Sequence, residues 1–157
     1  MIEVNALPEE VQEVSGYTIN KSGEVLSSRF PVPNGHKRTV IDTSSFGSFL
    51  RKLKLKLHGA TVKTYSGGVK TEDGIYEAVV DLPIGTKDLH QCADAVTRLR
   101  AVYLWQSERY DEIHFNFTNG FRADYSKWMA GNRMMIDGNN TYWKMKAATS
   151  NTYQSYW

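Results

Sequence analysis

The chain has a single cysteine, Cys92, among its 157 residues, so no internal disulfide forms and cysteine usage gives no sign of an oxidising compartment. No stretch approaches the roughly 18 to 20 apolar residues of a membrane span. The start from Met1 to Pro8 lacks both a basic leader and an apolar run, so no export signal is expected in the chain as it stands. Charge of one sign is also missing. With 19 basic against 17 acidic residues the net charge is +2, which predicts no general attraction to nucleic acid or anionic lipid. No internal period marks a repeat array, and no glycine-rich loop precedes a helix to cradle a phosphate or cofactor. Proline is scarce at four residues, and Pro31, Pro33 and the nearby Gly35 mark a loop.

What is present is a chain with 41% hydrophobic residues, enough for one core and, by default, one domain over residues 17–157 behind an N-terminal segment 1–16. Pro8 to Val14 reads as a short acidic helix with proline at its first position. Tyr17 to Asn20 and Glu24 to Arg29, flanking Lys21, Ser22 and Gly23, predict a hairpin. Ser44 or Ser45 caps a short helix with Phe46, Phe49, Leu50 and Leu53 on one face. Leu53 to Leu57 alternates, Thr61 to Tyr65 reads as a strand, and Ile75 to Leu82 reads as the strongest buried strand. Glu112 to Thr118 alternates with Ile113, Phe115 and Phe117 inward, and Asn119-Gly120 turns it into Phe121 to Tyr125. A helical turn follows over Ser126 to Ala130, stopped by Gly131. Arg133 to Ile136 and Thr141 to Met145 then flank Asp137 to Asn140 as another hairpin. The expected fold class is α+β, a mostly antiparallel sheet packed on one long central helix, about 88–106, with short additional helices.

That helix carries the most informative residue. Asp88 is a good N-cap and Gln91 can complete a capping box, which would put Cys92 near unpaired amides and the positive end of the helix dipole, favouring thiolate. The same position has a second reading. Leu89, Cys92, Ala93, Val96, Leu99, Val102 and Tyr103 recur at the spacing of one apolar stripe, and Cys92 is accordingly expected first as a small, unreactive core residue. On that reading Val96 and Leu99 are fully buried, with Asp94 and Arg98 closer to solvent.

A catalytic Cys92 needs a base. His114 falls about 10 Å or more away if the strand after the helix returns antiparallel, and His90 projects to the far side of the helix. His36 and His58 lie in loops, and His36 is the one retained as a candidate base. His90 and Asp94 could share a metal, but two ligands make no site. The basic run from Arg51 to Lys56 reads as a solvated face. Trp128, Tyr142, Trp143, Tyr153, Tyr156 and Trp157 could form a stacking platform for a glycan, since nine tyrosines and four tryptophans exceed what one small core needs.

Arg29 to Gly35, Ser45-Phe46 with Phe49 to Arg51, Asp88 to Leu104, and Phe115 to Phe121 with Tyr125, Lys127, Trp128, Gly131 and Arg133 together resemble domain of unknown function 4846. The resemblance runs from about Tyr17 to Trp157 and implies a bacterial-envelope setting or a place in a larger particle. It also implies that relatives continue into a Gly-His-Ala-Val strand. A cysteine at a helix start followed by a later strand histidine is similar to papain-like amidases and cell-wall peptidases, which would make Cys92 the nucleophile and leave its base in the missing segment.

Two functions are therefore expected. The first is a non-catalytic binding or assembly module, associating with itself, a protein or a glycan such as peptidoglycan through the C-terminal aromatic segment, in which Tyr153, Tyr156 and Trp157 begin an apolar stripe. The alternative is a cysteine-dependent amide hydrolase acting on peptidoglycan or peptide. Neither requires a cofactor.

Overall fold

The computed structural model describes residues 11–14, 17–70, 74–85, 87–88 and 91–149, with residues 11–14, 17 and 92 described by their backbone. Antiparallel strands and helices are both present, so the class is α+β. The chain divides into two compact units, Met1–Leu89 and His90–Trp157. The described strands form three separate two-stranded antiparallel ribbons, where the sequence suggested one continuous sheet.

The first unit opens with β1 (Val11–Val14) paired to β2 (Tyr17–Asn20), Val11 opposite Asn20 and Val14 opposite Tyr17. The acidic helix expected over Pro8 to Val14 is thus a strand from Val11 onward. Its glutamates suit a helix start, but a cross-strand partner close in sequence outweighs so weak a propensity. The second arm of the expected hairpin is α1 (Leu26–Arg29).

Arg29 is 2% exposed, and its side chain donates to the Gly23 carbonyl at 2.9 Å and the Lys56 carbonyl at 3.2 Å. A guanidinium therefore ties α1 to the following segment. Helix α2 (Phe46–Arg51) is capped as expected: the Ser45 hydroxyl oxygen accepts from the Ser48 amide at 3.2 Å. Ahead of it, Ser44 donates to the Asp42 carboxylate from its amide and its hydroxyl, which lowers the Asp42 pKa.

The strands expected over Leu53 to Leu57, Thr61 to Tyr65 and Ile75 to Leu82 reduce to isolated bridges, Val25 with Lys54, Leu55 with Val80 and Lys63 with Val69. An apolar run makes a strand only where a neighbour offers a full edge, and here the pairing lasts one residue at a time.

The second unit contains α3 (Cys92–Gln106), the longest helix among the described residues. Its start differs from expectation. The N-cap is Gln91, whose amide donates to the Asp94 carboxylate at 3.3 Å, so Asp94 and not Asp88 caps this end. The buried face also differs. Ala101, Tyr103 and Leu104 are the buried positions, Leu99 is half-buried, and Val96 is 63% exposed. The C-terminal half is apolar nearly all round, so spacing alone could not select a face; the buried partners Ile113, Ala123 and Tyr125 fix it. Asp94 is exposed as expected, and Arg98 is half-buried.

Helix α3 closes on Ser107, with Glu108 amide to Trp105 carbonyl at 3.1 Å and Arg109 amide to Leu104 carbonyl at 2.9 Å. This is a Schellman pair, and it puts Glu108 at φ +57, a conformation usually left to glycine. A 3-10 turn over Tyr110–Glu112 leads into β3 (His114–Asn116), which pairs with β4 (Arg122–Asp124). Helix α4 (Tyr125–Met129) follows directly.

Tyr125, fully buried, stacks on Trp128 at 5.8 Å and meets Tyr110 at 5.9 Å, so the centre of this unit is aromatic. Finally β5 (Asn132–Asp137) and β6 (Asn140–Met145) form the longest ribbon, with Met134 opposite Trp143. Their two-residue loop begins at Gly138, φ +58, the position where such a loop needs positive φ.

Candidate functional site

Cys92 is the first residue of α3, and its side chain lies outside the described residues. Its neighbours Ala93 and Asp94 are exposed, and so is Val96 one turn along. The apolar stripe expected to bury Cys92 is therefore absent from the first turn of the helix as described. His114 is exposed at the start of β3 and lines a cleft with Thr97 and Arg100 of α3. Thr97 is already about 7.5 Å of helix rise beyond Cys92. His36 and His58 are exposed and belong to the first unit. The His36 Nδ1 lies 3.1 Å from the Asn34 carbonyl, an acceptor only, so Nδ1 donates there. His90 lies outside the described residues.

Of the aromatic residues proposed as one platform, the described ones, Trp128, Tyr142 and Trp143, do not present a single surface. Trp128 is 6% exposed, with Tyr125 stacked on it at 5.8 Å and the Arg133 guanidinium 4.6 Å from its ring. It serves as core, because its flat faces are already covered. Tyr142 and Trp143 are successive strand residues and so face opposite sides of the β5–β6 ribbon. Trp143 packs on Phe121 at 5.6 Å with Lys127 Nζ 5.9 Å from its ring, whereas Tyr142 is 46% exposed. Tyr153, Tyr156 and Trp157 lie outside the described residues.

A different constellation is formed by the tips of the two ribbons. The loop after β3 and the loop joining β5 to β6 enclose an open groove of about 560 Å³. Asn116 to Asn119 line one wall, and Ile136, Gly138, Asn139 and Thr141 the other.

The walls are tied together by Asn119, whose side-chain amide donates to the Thr141 hydroxyl at 2.9 Å and approaches the Asn139 carbonyl at 3.4 Å. The Asn119 side-chain oxygen accepts from the Phe121 amide at 3.0 Å, so both ends of that amide group are held. Phe117 is 39% exposed and Ile136 73% exposed; Phe117 was expected inward. Behind it the rings run Phe117 to Phe121 at 5.8 Å and Phe121 to Trp143 at 5.6 Å.

Among the described residues that line the groove, none is charged. The groove offers amides and hydroxyls beside apolar surface, which suits a neutral ligand rich in hydroxyls rather than an ion. Sequence reading used Asn119-Gly120 and Gly138-Asn139 only as turn signals. The clue it passed over is that both turns are dense in asparagine and threonine, more than a turn requires.

No curated protein and no solved structure matches the chain. A family model, described as domain of unknown function 4846, matches residues 26–157. That span includes the second unit with its helix and both hairpin tips, so the chain belongs to the family of domain of unknown function 4846.

Proposed function

We propose that the chain is a non-catalytic binding module and that the hairpin-tip groove is its ligand site, with a neutral glycan as the ligand class. The observation that carries this reading is the uncharged lining, with Asn119 bracing one wall against the other. Sugar hydroxyls pair with asparagine amides and threonine hydroxyls, and the apolar face of a pyranose packs on an exposed ring such as Phe117. Because both Asn119 side-chain atoms are already bonded, the groove is formed before ligand arrives and little ordering cost is added on binding.

Against catalysis by Cys92 stands His114, which lines a cleft with Thr97 and Arg100, further along α3. An envelope setting, where glycan strands are at hand, accords with this reading. Self-association through residues 150–157 belongs to the same proposal, and sedimentation of the chain with and without those residues tests it. A strictly monomeric full chain would remove that part.

Titration of the full chain with N-acetylglucosamine oligomers, followed by amide chemical shifts, tests the groove. Shifts are expected at Asn116, Phe117, Asn119 and Thr141, with Phe117→Ala weakening binding by roughly three- to tenfold, the worth of one aromatic contact. Shifts confined to other residues, or an unchanged affinity in Phe117→Ala, would sink the proposal.

A further inference from the structure

A second concavity lies elsewhere in the same unit, between the C-terminal half of α3 and the start of β3. It is smaller, about 160 Å³, room for about five waters at roughly 30 Å³ each. Its floor is apolar and almost completely buried: Ala101 is 3% exposed, Leu104 2% and Ile113 1%. Its rim is charged, with Arg100, Glu112 and His114 all exposed.

The rim charges do not cancel. Both carboxylate oxygens of Glu112 are taken by Arg109, at 2.5 Å from Nε and 2.6 Å from Nη2, and this fork holds the Glu112 carboxyl below its ordinary pKa. Glu112 therefore stays ionised and already has its counter-ion. Arg100 makes no hydrogen bond or ion pair among the described residues; Glu112 feels it only as a nearby positive charge. Thr97 contributes no donor, since its hydroxyl donates to the Asp94 carbonyl at 3.0 Å. What remains is one guanidinium without a partner among the described residues and one imidazole, beside an apolar cleft with room for a small alkyl group.

We infer that this cleft between α3 and β3 binds a carboxylate bearing a small alkyl group: Arg100 forks the carboxylate, His114 donates beside it, and the alkyl group rests against the half-buried Phe115 at the mouth of the cleft, above the buried Ala101, Leu104 and Ile113. The planar fork of a guanidinium matches the two oxygens of a carboxylate. A phosphate dianion is disfavoured because one arginine and one imidazole supply too few donors for its oxygens. The same chemistry is offered by two sources, the free C-terminus of a peptide ending in alanine or valine and a short-chain carboxylic acid. The site is separate from the hairpin-tip groove, and the inference does not depend on that proposal.

The test uses the full chain and three probes: acetyl-Ala-Ala with a free carboxylate, the same dipeptide as its C-terminal amide, and butyrate. Amide shifts at Thr97, Arg100 and His114 report binding. The free-acid dipeptide is expected to bind roughly tenfold or more tighter than its amide, because a charge-assisted pair is lost in the amide. Arg100→Gln should lose a similar factor; Arg100 is exposed and has no hydrogen bond or ion pair among the described residues, so this variant is expected to keep the wild-type unfolding midpoint, which is measured alongside. Butyrate matching the peptide acid would assign the site to short-chain acids, and peptide alone would assign it to a C-terminus; either outcome upholds carboxylate binding. Equal binding of acid and amide, no binding of any probe at millimolar concentration, or an unchanged affinity in Arg100→Gln would overturn it.

Discussion

Trp105 Nε1 donates a 3.0 Å hydrogen bond to the hydroxyl of Tyr125. The bond joins α3 to α4 across the aromatic centre of the second unit, and Tyr125 is fully buried while holding it. Tyr125→Phe keeps the stack on Trp128 and removes only the acceptor. The cost is expected at about 1 to 3 kcal/mol, that of removing a hydrogen bond at a buried contact. Tyr125→Ala should cost about 3 to 5 kcal/mol, since the ring contacts are lost as well. A denaturant titration that ranks the two variants equally would mean the hydroxyl carries the whole contribution.

The same tyrosine should govern alkaline stability. Burial raises the Tyr125 pKa, the neutral phenol being the form the core accepts. A raised folded-state pKa contributes stability that is complete below the ordinary tyrosine value of about 10 and disappears as pH climbs through the folded value. The wild type should therefore lose stability above about pH 10 more steeply than Tyr125→Phe. Unfolding midpoints of the two proteins measured from pH 8 to 11 would converge if this is right. Parallel curves would refute it.

Glu108 occupies the left-handed region at φ +57 to complete the helix end. Replacing it with glycine should stabilise the protein by about 0.5 to 1 kcal/mol, because a side chain in that conformation costs about 1 to 2 kcal/mol and glycine returns part of this through unfolded-state entropy. A fall in the thermal midpoint of Glu108→Gly would show that the glutamate side chain offsets its own strain.

Gly131 gives the opposite prediction. It stands at φ +92, and a Cβ there would lie 2.2 Å from the Ala147 carbonyl oxygen, which the backbone cannot easily vacate because Gly131 itself accepts from the Lys146 and Ala147 amides. Gly131→Ala should cost more than about 2 kcal/mol. Near-neutral stability in that variant would mean the chain after β6 is not held against Gly131.

The two loops Asn119-Gly120 and Gly138-Asn139 and the Ser45 cap could be read from sequence because each is decided by a few adjacent residues. Elements that depend on distant partners could not. Val79 and Val80 sit in an apolar run, yet whether they pair is settled by Lys54 to Lys56, more than twenty residues earlier. The start of α3 was misplaced because Asp88 and Asp94 both suit a helix N-terminus, and the choice rests on local backbone geometry that composition does not encode. The groove escaped for a related reason. Its walls come from loops about twenty residues apart, and only the bond from Asn119 to Thr141 makes them one surface. Arg100 and His114 were likewise legible as residues but not as neighbours.

Six cross-strand pairs hold β5 and β6 in register below their tip, so what the groove accepts and what keeps the unit folded are written in different residues. Exchanging Asn116, Thr118 or Asn139, all exposed at the tips, alters the lining at a cost within about 0.5 kcal/mol, while Trp105, Tyr125 and Trp128 remain untouched. Selection acting on such a molecule can revise its specificity without renegotiating its core. Because Phe115 to Phe121 belongs to the pattern shared with the family, diversity among relatives should concentrate at the β5–β6 tip, where, on the proposed binding role, an altered residue changes the ligand and leaves the scaffold as it was.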